Sequence, residues 1–532
     1  MQHQILVNSV LLGVYFAVLV AIGLACRRRA TDVNGFVLGG RAVGAWLTAF
    51  AFGTSYFSAV VFVGYAGQFG WRYGISATWA GIGNALIGSL LAWSILGRRT
   101  RIMTQHLDSA TMPDFFAKRF GSPGLKLMAS IIIFIFLIPY TASLYNGLSR
   151  LFGMAFSIDY AWCIVLMSVL TAIYVIAGGY MATAINDFIQ GIVMLVGISA
   201  VIWATLASKG GLVAALDGLA RIPGPAMLPG GEPTPGIFTS FLGPDPLNLL
   251  FVVILTSLGT WGLPQMVQKF YAIRNEGAIK KGTIISTLFA FVVAGGCYFL
   301  GGFGRLFTDV LNVGPKGIPA GGFDAIIPKM LEGLSPMLIA LVVVLVLSAS
   351  MSTLSSLVMT SSSTLTIDFI NGTVVKDMKD KSQVLCIRIL IVVFIAISAA
   401  LALVQYKSEG PIAFIAQMMG VSWGAMAGAF LAPFLYSLYS KKVTAASCWT
   451  CFILAPTFTM VGVFCRDAMP DILKSPINTG ALAMLGGLVI VPIVNLVTRK
   501  PPKDLVDGSF ACYEKNVLVP QATALEGGMD PT

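Results

Sequence analysis

Apolar residues in this chain fall in long runs separated by short polar connections. Thirteen runs are long enough to cross about 30 Å of hydrocarbon, at roughly 5–25, 44–70, 76–96, 127–153, 158–178, 185–207, 247–270, 280–304, 334–368, 384–404, 410–438, 443–465 and 477–497. We number these as spans one to thirteen. In lipid a helix satisfies its own backbone polar groups, so runs of this length predict an all-α, polytopic membrane protein. The remaining segment, 501–532, reads as a short, polar, disordered cytoplasmic tail.

The charged residues of the connections give an orientation. Arg27, Arg28 and Arg29 follow span one; Arg98, Arg99 and Arg101 follow span three, with Lys118 and Arg119 in the same loop. Lys269, Arg274, Lys280 and Lys281 lie in or flank the loop after span seven. Lys376, Lys379 and Lys381 follow span nine, Lys441 and Lys442 span eleven, and Arg499, Lys500 and Lys503 span thirteen. Apart from the charge-poor fifth, every odd-numbered connection is basic, which puts the amino terminus outside and the carboxyl terminus in the cytoplasm. Two even connections, 208–246 and 305–330, are rich in Gly and Pro and read as irregular external loops.

Composition agrees. Hydrophobic residues make up 57% of 532 positions and charged residues 11%, against about 25% charged in a soluble protein; mean hydropathy is +0.85. The net charge of +11 is spread through the connections, not gathered on a nucleic-acid-binding patch. Cys448 and Cys451 form a CxxC inside an apolar run and read as packing residues, and two histidines are too few for a His-based metal centre. The first run is long enough to span and lacks a small-residue cleavage pattern, so it reads as a helix, not a removable signal. No soluble catalytic domain and no obligate protein partner are expected.

Polar residues inside the runs carry the candidate chemistry. Span two reads FGTSYFSAVVFVGYAG with Gly53, Gly64, Gly67 and Gly70, and span seven reads SLGTWGLPQ with Gly259, Gly262 and Pro264. Helix breakers at corresponding places in two five-span sets point to discontinuous helices in an inverted repeat, 44–207 and 247–438. Span nine, LVLSASMSTLSSLVMTSSSTLTID, places Ala349, Ser352, Thr353, Ser356 and Thr360 on one face. Such a stripe either lets helices pack closely or offers oxygens to a hard cation. Opposite it, unwinding at FGTSYF frees backbone carbonyls, so Thr54, Phe57 and Ala349 carbonyls with Ser352 and Thr353 hydroxyls form a five-oxygen set for sodium. Asp187, at the start of span six, is either a functional intramembrane acid or a first-turn acid favoured by the helix dipole.

The stretches 39–59, 178–191 and 348–368, in this order and spacing, resemble the sodium/solute symporter family, and the resemblance extends over about 5–500. It implies a LeuT-type core of two inverted five-helix repeats with one helix before and two after (443–497), in a single transmembrane domain, 1–500. It implies the same five-residue sodium site, and a second site, found in some members, at Asp187, Ser352, Ser355 and Ser356. It places the solute between spans two, four, seven and eleven, near Tyr56, Ser58, Tyr140, Asn146, Thr260, Trp261 and Gln265. The acid that proline symporters carry beside the span-two break is Tyr56 here, and their two span-seven aromatics align with Thr256 and Thr260.

The expected activity is therefore sodium-coupled import of a small organic solute, an amino acid such as proline or a similar zwitterion, across a bacterial inner membrane. A sodium/monocarboxylate symporter is the alternative. An intramembrane enzyme would need paired acids, a Ser/His arrangement or a metal cluster. A channel would need a carbonyl filter or rings of acids, and neither pattern is present.

Overall fold

The computed structural model describes residues 2–27, 31–156, 159–224, 234–314, 317–319, 321–375, 377–406 and 415–513. Among these, no strands form and only isolated bridges occur. Nine helices are apolar and long enough to cross a membrane, and the bent pair Pro246–Gly262 and Pro264–Ala272 makes a tenth span. Two of the long helices are divided by glycines with left-handed φ. Gly74 (φ 64, ψ −141) separates spans two and three, and Gly179 (φ 59, ψ −158) separates spans five and six within Tyr160–Ala207. With these divisions and the first helix, Gln2–Cys26, the thirteen expected spans are accounted for.

Two spans are broken at mid-length. Span two runs as Ala45–Tyr56, stops at an extended Phe57 (φ −98, ψ 103), and resumes as Val60–Tyr65 and Ala66–Tyr73. No proline causes this break. Ser58 starts the second arm, accepting from Val60 N through its side chain at 3.2 Å and from Val61 N and Phe62 N through its carbonyl. Span seven stops at Leu263 (φ −80, ψ 120) because Pro264 excludes the helical conformation from the residue before it and opens the next helix. The arms of span seven meet at 45°. The base of span two is tied to the end of span seven, Val43 N donating to Ala272 O and Arg274 N to Val43 O.

The bundle closes around these broken spans by glycine contacts. A Cβ on Gly70 would lie 2.0 Å from the Gly301 carbonyl carbon, so spans two and eight touch through backbone there. A Cβ on Gly259 would lie 2.4 Å from the Trp423 ring, so span eleven seats its indole against span seven. Span one lies on the outside of this core and reaches it through Tyr15, whose hydroxyl accepts from Gln190 and Ser348, both at 3.0 Å.

Three expectations are corrected. Asp187 is not a first-turn acid: Gly179 begins its arm about two turns earlier, and the residue is fully buried. Lys269 is not a loop charge, for the second arm of span seven carries it inward and leaves it 3% exposed. The segment after Pro501 is not wholly irregular. Lys503–Phe510 is helical, Phe510 is buried under Arg119 and Lys441, and Tyr513 donates to Arg99 O at 2.8 Å. Arg28, Arg29, Lys376, residues 410–414 of span eleven and the tail from 514 lie outside the described residues.

Candidate functional site

Where span two unwinds, the carbonyls of its last turn lose their helical partners, and span nine crosses beside them. Ser352 Oγ donates to Thr54 O at 3.0 Å and to Ala349 O at 3.1 Å. Thr353 Oγ1 donates to the same two carbonyls, both at 3.1 Å. Four of the five oxygens expected around sodium therefore meet in one fully buried cluster. Phe57, the break residue, borders with Ala349, Ser58 and Cys297 a cavity of about 10 Å³ beside them. A cavity of that size holds about one water. The donor set is neutral and all oxygen, two hydroxyls and backbone carbonyls, which suits a hard monovalent cation.

The expected second set is arranged differently. Ser355 Oγ turns back onto Ser352 O at 2.8 Å. Ser356 Oγ lies 2.6 Å from Ser55 Oγ and 3.0 Å from Lys269 Nζ. Neither Asp187 oxygen has a hydrogen-bond partner among the described residues, and the positive charge acting on it is Lys269. The preceding residue, Gln268, accepts from Thr360 Oγ1 at 2.9 Å, so span seven is bonded to span nine at two successive turns of span nine. Lys269 was missed by sequence reasoning because a basic residue after an apolar run is ordinarily a loop charge. The proline break in GLPQMVQKF was the available signal that the helix continues inward.

The residues expected around the solute divide into two groups. Tyr56 donates to Thr256 O and stacks on Trp423 with ring centroids 5.6 Å apart. Tyr140 meets Trp423 edge-on at 6.0 Å. Gln265, just past the span-seven break, is 1% exposed. Its amide has no hydrogen-bond partner among the described residues. Buried polar groups of this kind ordinarily require partners; the Tyr140 hydroxyl interacts with Trp423 and Ser58, so the Gln265 amide is the open hydrogen-bonding position of the centre.

The second group has most of its polar atoms committed elsewhere, although Asn146 Oδ1 has no hydrogen-bond partner among the described residues. Thr260 donates to Gly88 O at 2.9 Å and Trp261 to Ile87 O at 3.0 Å, both fastening span seven to span three. Asn146 faces Gln405 and Met418, and Ser58 caps the second arm of span two. Trp423 was missed in the sequence. It sits in GVSWGAM, where small neighbours let an indole reach across, but no periodicity marks which span it meets.

Other pockets lie at the two ends of the bundle. One of about 240 Å³ opens among Phe69, Arg72, Gln417, Arg466, Asp471 and Lys474. At the opposite end, one of about 540 Å³ lies between Arg98, His106, Glu276 and Tyr513. Among the described residues no group of His, Cys, Asp and Glu is arranged to hold a metal ion.

Four matches to known proteins bear on this geometry. The model of the sodium:solute symporter family matches residues 36–454. The osmoregulated proline transporter OpuE of Bacillus subtilis (strain 168) is 27% identical over 495 residues, covering 92% of this chain and 95% of that protein. A sodium/proline symporter of Staphylococcus aureus (strain JH9) is 26% identical over 501 residues, 93% of this chain and 92% of that one. Among solved structures, the substrate-bound outward-open state of a Na+-coupled sialic acid symporter superposes with a TM-score of 0.71 at 17% identity. The match covers 93% of this chain and 99% of that one, a likeness of fold.

Proposed function

The chain belongs to the sodium:solute symporter family, and from that premise we propose that it imports a small organic solute together with sodium by alternating access. The observation that carries the reading is the cluster in which Ser352 and Thr353 each reach both the Thr54 and Ala349 carbonyls. These oxygens join a continuous span to the break of another, so a cation coordinated by them holds the two elements together. Sodium from outside takes the place of the hydroxyl protons at these carbonyls and orders the span-two break. Solute then settles between Tyr56, Tyr140, Gln265 and Trp423, and rocking of one helix set against the other opens the site inward.

The Tyr56–Trp423 stack fills the centre in this structure, and the adjoining cavity of about 10 Å³ is far smaller than an amino acid. Solute entry therefore requires these rings to separate. The driving force is adequate: about 100 mV is worth about 2.3 kcal/mol per charge, and a tenfold sodium gradient adds about 1.4 kcal/mol. One sodium thus supports accumulation on the order of several hundred-fold.

For the solute we propose a small zwitterion such as proline, held by aromatic faces and the open Gln265 amide. A monocarboxylate is the second reading, favoured by the 240 Å³ end pocket, where Arg72, Arg466 and Lys474 outnumber Asp471. We place the protein in a bacterial inner membrane with its amino terminus outside, on the distribution of basic connections. Uptake of radiolabelled proline, other amino acids and short monocarboxylates into proteoliposomes under an imposed sodium gradient tests the reading. Sodium-stimulated, charge-carrying accumulation of one of these is expected. Its absence for all of them overturns the proposal.

A further inference from the structure

We infer that Lys269 is a built-in cation occupying the place where a second sodium would bind, so that this protein takes up one sodium ion per transport cycle. The inference rests on the symport reading above and deepens it.

A carboxylate buried in a membrane protein needs a compensating positive charge. Asp187 is fully buried, and both its oxygens lack hydrogen-bond partners among the described residues. It is one of four groups that together could coordinate a sodium. The other three, Ser352, Ser355 and Ser356, lie on span nine and offer hydroxyl oxygens. The set does not fit a second sodium as the structure has it. The Lys269 ammonium is 3.0 Å from Ser356 Oγ, a position from which it donates to the oxygen a sodium would need. Ser355 Oγ is spent on the Ser352 carbonyl, and Ser352 Oγ is spent on the principal site. Asp187 alone among the four remains uncommitted by hydrogen bonding, and Lys269 is the charge that acts on it.

The lysine is also held in place. It lies over the Tyr180 ring at 5.1 Å. Its neighbour Gln268 is bonded to Thr360 and to Val37 O, so the arm of span seven that carries it cannot swing freely. Charge balance then decides the stoichiometry. One carboxylate and one ammonium leave the pocket neutral, and a sodium added beside them would face the ammonium at close range in a low-dielectric site. The principal site has no fixed charge among its five oxygens and takes its ion alone, with the Lys269 charge compensated by Asp187.

Counting bound 22Na+ per chain in detergent, with sodium alone and no solute, tests this directly. Wild type is expected to saturate at one ion per chain with a Hill coefficient near one. Lys269→Gln frees the Asp187 carboxylate and takes the ammonium off the Ser356 hydroxyl, and is expected to raise the count from one to two. Lys269→Gln combined with Asp187→Asn is expected to return it to one. Lys269→Arg keeps the charge and should hold the count at one, which guards against loss of fold in the glutamine variant. Two ions per wild-type chain overturn the inference, as does a count of one in a folded Lys269→Gln. Absence of sodium binding in every variant sinks the symport reading instead.

Discussion

Ser352 and Thr353 are adjacent in sequence, yet each bonds the same two carbonyls, one on its own helix and one on span two. Losing either hydroxyl removes one of five proposed sodium oxygens, and interactions with a charged partner are worth about 1.5–3 kcal/mol. Ser352→Ala and Thr353→Ala should therefore each raise the sodium concentration for half-maximal uptake roughly 10–100-fold, with wild-type solute affinity at saturating sodium. Unchanged sodium dependence in both variants would remove the site from the cluster. This set was legible because the motif of span nine and the unwinding of span two are both local. Thr260 and Trp261 were less so: their types suited a binding pocket, but the rotation of span seven turns both donors onto span three. Asp187→Asn should likewise weaken apparent sodium affinity, since it leaves the buried Lys269 charge uncompensated next to the serines of span nine. Sodium titration of uptake in that variant checks it, and an unaltered curve returns Asp187 to a purely structural part.

At the scale of the element, both broken spans are held open by what packs against them. Pro264 made the span-seven break legible, whereas span two breaks without a proline and only its glycines and hydroxyls hinted at it. Gly259 sits one turn before the Leu263 break, and a methyl there collides with the Trp423 ring at 2.4 Å. Overpacking of this kind costs about 1–3 kcal/mol. Gly259→Ala should lower the thermal unfolding temperature in detergent and impair uptake, and adding Trp423→Leu should restore much of the lost stability by removing the ring. A Gly259→Ala protein that melts with wild type would contradict the contact. The partner in this pair could not be read from the chain: span eleven holds many small residues, and nothing local says which neighbour receives its indole.

For the whole molecule, one ion network joins elements distant in sequence. Lys126, at the start of span four, is 3.1 Å from Asp114 on the short helix Met112–Phe120 and 3.4 Å from Asp368 at the end of span nine. The Asp368 side chain is fully buried. Removing one partner of a buried pair costs about 3–5 kcal/mol because the other charge is left without compensation. Lys126→Met should therefore destabilise the protein by about that much in thermal or denaturant unfolding, while Lys126→Arg should lose far less; equal stability of the methionine variant would show that the network contributes nothing. The docked helix Lys503–Phe510 shows the same dependence on the assembled bundle, since Phe510 meets Arg119 of the helix Met112–Phe120 and Tyr513, just past it, meets Arg99 of the helix Arg98–His106. The amino-acid sequence by itself determined the number of spans, their α-helical state and the positions where two of them break. These follow from local properties: the length of apolar runs, the obligation of backbone groups in lipid to bond within their own helix, and the conformations that glycine and proline allow. Only the tertiary structure decided which oxygens converge, that Lys269 is buried against Ser356 instead of lying in a loop, and that Trp423 closes the centre. Those facts depend on the rotation and crossing of helices, which bring together residues that no local pattern connects.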